Sequence, residues 1–274
     1  MTPPRRASTS PTTPTSASAK AESADSSLAT IDAIDALMDR ASQALVRTDY
    51  FEVEKLCTQA IRLARIAGDF DRLSRICLPL QESRRQRRHE AVDSEFRHLL
   101  DHIPSRREPL LPGLYLVQPP LIGLDARNIR LASEGARVPV VVVCREPMTR
   151  SGLWPVVAVA SGGLIDTLTM RVRVPPPPGV EPAADSPTKD HATQPPPPEW
   201  FLAANEALGD WAIASIEPET HPWYRVDCLL EALDALPDHE KLQQRLGDAC
   251  RAASGTLPPL TPRRSSRHND PFSF

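Results

Sequence analysis

Seven consecutive residues, Val138 to Cys144, form an unbroken apolar run with four valines in succession, and the run ends abruptly on Arg145-Glu146. Four valines in a row cannot show one face to solvent and hide the other. Both faces must be covered, which predicts a central strand of a sheet with helices packed on it. Its charged exit would lie at the strand's C-terminal end, where open α/β sheets tend to place ligands.

The flanking sequence builds a sheet around this run. GLYLV (113–117) reads as a short strand, and 122–134 as a helix. Strand, helix and strand within about thirty residues predict a parallel βαβ unit. WPVVAVA (154–160) and the alternating segment 164–174 predict an antiparallel hairpin turning at Gly162-Gly163. In the return strand Leu168, Met170, Val172 and Val174 face inward. Three helices, 199–216, 224–236 and 239–253, carry apolar faces suited to covering the sheet, and Asp238 stands where the last would be capped.

The N-terminal half reads as helical. Residues 28–47 recur with Ile31, Ile34, Met38, Ala41 and Leu45. Residues 50–67 carry Val53, Leu56, Cys57, Ala60, Ile61 and Ala64, closed by Gly68. A third helix starts after Asp69 and carries Phe70, Leu73, Ile76, Cys77 and Leu80. Pro79 is expected to kink or end it, with helix resuming through Ala91, Val92, Phe96, Leu99 and Leu100.

The stretch TDYFEVEKLCTQAIRLARIAGDFDRLSRI resembles a tetratricopeptide-type repeat over about residues 44–78. Phe51 matches the aromatic of its first helix, Ala60 and Ala67 the small residues where two helices touch, and Gly68-Asp69 the turn into the next repeat. Thr48 stands where the family usually has glycine. The resemblance implies a protein-binding helical surface, with Phe51 and Phe70 beside it.

The expected fold class is therefore α+β: an N-terminal helical hairpin or bundle (28–103), a linker (104–112), and a mixed-sheet domain (113–254) covered by C-terminal helices. Three segments lack the large apolar side chains needed to offset chain entropy. These are the tail 1–27, the proline-rich loop 175–198 and the tail 255–274, all expected to be disordered. No apolar window is long enough for a membrane span, and no secretory signal is visible. Five widely spaced cysteines without C-x-x-C read as free, buried thiols. Together these point to the cytoplasm.

The well-specified catalytic and phosphate-binding motifs do not occur, so no catalytic residue, cofactor or metal site is assigned, and an enzyme is not the favoured reading. His98 and His102 would share a face only on a helix and lack a third ligand. The favoured function is a non-catalytic interaction or scaffold module whose partner is another protein, self-association being a further contact of that kind. Two alternatives carry residues. Arg145, Glu146, Thr149 and Arg150 gather at the valine strand's exit and would suit a small anion. Arg84, Arg85, Arg87 and Arg88 form one basic cluster that would contact nucleic acid or an acidic partner. Acidic residues flank that cluster and the net charge is −3, which argues against nucleic acid.

Overall fold

The computed structural model describes residues 16–105, 108–161, 168–178, 192–217, 219 and 221–260, giving for 16–27 only the backbone. The expected Gly162-Gly163 turn, the middle of the proline-rich loop (179–191) and most of both tails lie outside the described residues.

Helix α1 (Ser16–Val46) begins well before Leu28, inside the segment expected to be disordered, and buries Ile34, Ala41 and Ala44. Helix α2 (Tyr50–Ala67) keeps its expected bounds. The Asp49 carboxylate accepts the Glu52 amide at its start, and Gly68 at φ 69° ends it, a left-handed turn that glycine adopts without steric cost. Helix α3 (Phe70–Asp93) starts on an identical Asp69 cap and runs straight through Pro79. Losing one backbone bond does not outweigh the buried face of Leu73, Ile76, Cys77 and Leu80. A helix pair of this kind is common to repeat proteins and ordinary bundles, so the pairing does not distinguish them.

The continuation expected beyond Asp93 is corrected. Glu95 takes φ 59°, the helix stops, and Arg97–Leu100 becomes strand β1. It pairs in parallel with β2 (Gly113–Val117), so the 104–112 linker joins two neighbouring strands of one sheet. Helix α4 (Gly123–Ala136) leads from β2 to the valine strand β3 (Val140–Arg145), again parallel to β2. Strands β4 (Trp154–Ala160) and β5 (Leu168–Val174) follow antiparallel. The sheet thus has five strands in the order β1-β2-β3-β4-β5, with β3 in the middle.

Alternation divides β3 between two layers. Val141 and Val143 join the large core shared with α3 and α5, whereas Val140 and Cys144 join a smaller cluster under α4. Of the C-terminal helices, α5 (Pro198–Ile216) lies on the sheet and α6 (Pro222–Ala235) reaches β4. Helix α7 (Glu240–Ala253) packs chiefly on α3 and α6. The N-terminal helices and the sheet therefore share one core. The described ends of the proline-rich loop are held: Ala192 exchanges two hydrogen bonds with the Gln118 side chain, and Trp200 donates to the Pro175 carbonyl. No described helix is long and apolar enough to cross a membrane.

Candidate functional site

The residues expected to bind an anion after β3 do not converge. Arg145 lies on the same face as Val143 and is fully buried, its guanidinium 4.4 Å from the Trp154 ring and donating to Gln118 Oε1 at 3.1 Å. Glu146, one residue on, faces the opposite way and takes two hydrogen bonds from Arg171, at 2.6 and 2.8 Å. Thr149 closes a tight turn on Leu153, and Arg150 is exposed. Strand alternation puts Arg145 inside and Glu146 outside, so the four side chains cannot surround one ligand.

The α3 arginines are also redirected. Arg84 donates to Glu54 Oε1 at 2.7 Å, Arg87 pairs with the same carboxylate, and Arg88 pairs with Glu240 while donating to the Asp238 carbonyl. Burial pulls the pKa of Arg84 and Arg87 down. Arg85 alone faces outward, paired with Glu82 at 2.8 Å. This is an internal clamp between α2, α3 and the α6–α7 turn, and it turns Arg84, Arg87 and Arg88 toward protein acceptors. The helical surface expected beside the two phenylalanines is engaged by the chain itself. Phe70 is 2% exposed and meets Trp223 edge-to-face at 4.7 Å. Phe51 lies under the Arg87 guanidinium at 4.2 Å.

Two polar clusters escaped the sequence reading. Strands β3 and β4 are paired only at Cys144–Val157 and Arg145–Val156, then diverge. A cavity of about 30 Å³ opens in this wedge, walled by Val142, Val157, Arg127, Arg130 and Asp238, room for one or two waters. Asp238 is 9% exposed, and burial raises its pKa against the pull of Arg87, Arg84, Arg130 and Arg88. Contrary to the expected Asp238 cap, its side chain does not cap α7; His239 does, with Nδ1 accepting the Leu242 amide at 3.2 Å.

His239 also belongs to the second cluster, with Glu206 and Asp210. These two carboxylates and the imidazole offer ligand atoms within 4.8 Å of one another, a spacing a metal ion would accept. The capping bond argues otherwise. Accepting at Nδ1 places the ring proton on Nε2, the atom facing Glu206 at 3.4 Å, so that nitrogen has no lone pair for a metal. Lys241 already neutralises Glu206 and Asp210, at 3.2 and 3.0 Å. The cluster ties α5 to α7. Gly209 is required beside it, because a Cβ there would lie 2.1 Å from the His239 ring. The His98–His102 pair is likewise separated: His98 stacks on Tyr115 at 4.4 Å within the sheet, and His102 lies beyond the strand end, bonded to Asp101 at 2.8 Å.

The five cysteines are buried thiols outside any disulfide, and burial pushes Cys57 and Cys144 up to about 12, far from a reactive thiolate.

What remains open is the β1 edge. The Phe96 and Leu100 carbonyls accept the Leu114 and Gln118 amides, at 2.9 and 2.8 Å. Backbone groups alternate sides along a strand, so those of Arg97 and Leu99 face away from β2. Among the described residues nothing pairs with them. Phe96 and Ile103 flank this edge at 55% and 63% exposure. No glycine or alternating pattern marked the strand in the sequence.

No protein-family model matches the chain, and no curated protein or solved structure matches it either.

Proposed function

We propose that this chain acts by binding another protein, and that the contact is made at the β1 edge and not between the N-terminal helices. The observation that carries this reading is the outward backbone of Arg97 and Leu99, bordered by the exposed side chains of Phe96 and Ile103. An open strand edge with apolar neighbours is a template for another chain, unless charge, proline or a covering segment blunts it. The opposite edge, β5, is blunted in that way: it carries two like charges, Arg171 and Arg173, with no acidic residue on the strand, and runs into Pro175.

A photoreactive amino acid placed at position 96 of the full chain tests the reading inside the producing cells. The expected result is a discrete cross-linked product from position 96 and none from position 78, where Leu78 is exposed on α3. Cross-linking at 78 with none at 96 would return the contact to the helices.

A further inference from the structure

We infer that the partner at the β1 edge is a second copy of this chain, the two β1 strands pairing antiparallel about a two-fold axis at Leu99. The inference rests on the preceding reading of that edge and adds the partner and the register.

Parity limits the register first. Only odd-numbered residues of β1 direct their backbone groups outward, since Phe96 and Leu100 serve β2. A two-fold axis through a hydrogen-bonded pair must therefore pass through an odd-numbered residue, whose N–H and C=O then bond to its own copy, whereas an axis through a non-hydrogen-bonded pair, at His98 or Leu100, would set Leu99 against Arg97 or against Asp101 and leave those charges without a partner across the seam. Charge limits it further. An axis at residue 97 would set Arg97 directly against the partner's Arg97, and one at residue 101 would oppose two Asp101 side chains. Like charges directly opposite are destabilising in a sheet.

An axis at Leu99 does the reverse. Arg97 then faces the partner's Asp101, and Asp101 the partner's Arg97, two opposite-charge pairs from one self-complementary strand. The Leu99 amides and carbonyls satisfy each other between them. Arg97 is exposed, its guanidinium making a long hydrogen bond of 3.4 Å to the Pro196 carbonyl, and the Asp101 side chain is 57% exposed, so pairing exchanges the weak Pro196 contact for a charge pair. Asp101 presently bonds to His102 at 2.8 Å at the bend ending β1, and pairing carries the strand one residue further. Phe96 and Ile103 sit at the two ends of the paired segment and lose solvent there. The product is one continuous sheet across two protomers, closed by symmetry. Joining β1 of one copy to β5 of the next would instead grow without limit, against the charged and proline-terminated β5 edge.

Sedimentation of the full-length chain over a concentration series tests this. The wild type is expected to reach a dimer and stop. Arg97→Asp and Asp101→Arg each place like charges across the axis and are expected to weaken the dimer about tenfold or more, while the double variant Arg97→Asp/Asp101→Arg restores it. Leu99→Pro removes an N–H that no described intramolecular bond uses, and is expected to give a folded monomer with an unchanged circular dichroism spectrum. If Leu99→Pro does not fold, the charge swap and its rescue decide. A wild type that stays monomeric, a dimer indifferent to both charge reversals, or growth beyond the dimer overturns the inference. A monomeric wild type that still cross-links from position 96 to a different protein overturns self-pairing alone. If position 96 yields no cross-link either, the edge reading falls with it.

Discussion

Arg84 and Arg87 of α3 and Arg171 of β5 make the same chemical pair in different surroundings. Arg84 and Arg87 share Glu54, and the three side chains keep 11%, 6% and 13% of their exposure. Arg171 holds Glu146 by two short hydrogen bonds, yet both side chains remain 33% exposed. Water screens the outer pair and competes with it. Inside, no solvent replaces a lost partner, so each member depends on the others. The difference shows that counting ion pairs says little about stability until burial is known.

The largest expected effect comes from taking one charge out of the inner set. Glu54→Ala takes from two buried guanidinium groups the carboxylate they both pair with, and is expected to cost about 3–5 kcal/mol in urea unfolding. Replacing all three together, as Glu54→Leu/Arg84→Leu/Arg87→Met, removes the uncompensated charge with the pair and is expected to cost much less. A Glu54→Ala loss below about 1 kcal/mol would place the inner pairs in the class of exposed ones.

Much of the scaffold was visible in the sequence, and the reason is period. Val138 to Cys144 could only be a two-faced buried strand, and the helix of 50–67 shows its stripe and its Gly68 stop without ambiguity. Strand β1 was hidden because Ala91, Val92, Phe96, Leu99 and Leu100 continue the spacing of α3, while the actual stop, Glu95 at φ 59°, carries no glycine to announce it. The inward turn of Arg84 and Arg88 was hidden for another reason. Their acceptors are Glu54 on α2 and Glu240 at the start of α7, and pairing across such separations is a property of packing. Asp238 read as a helix cap because aspartate before a helix usually is one. Only the divergence of β3 from β4 reveals the cavity it faces.

Asp238 sharpens the comparison from the acid side. Burial raises its folded pKa above the ordinary 3.8, so the folded state binds this proton more tightly than the unfolded state. Between those two values stability rises as pH falls, and above the folded pKa the ionised carboxylate is a net cost. Asp238→Asn has no proton to gain. It is expected to match or exceed the wild type in stability near neutral pH, with its advantage shrinking as the pH is lowered toward about 4. Denaturant titrations of both proteins across this range check the sign. A variant less stable than wild type at neutral pH would mean that the four surrounding arginines outweigh the burial.

The smallest effect belongs to the outer pair. Arg171→Ala removes two short, well-directed hydrogen bonds to Glu146, which by distance alone equal those inside the clamp. Exposure sets their value, since the freed Glu146 carboxylate is taken up by water. The expected loss is within about 1 kcal/mol, and smaller still at high salt, where exposed charges are screened. Unfolding of the wild type and the variant at low and high salt measures both quantities. A loss comparable to that of Glu54→Ala, and indifferent to salt, would show that the Glu146–Arg171 pair is shielded from water and fixes the β3–β4 turn to β5 as firmly as the clamp fixes α3.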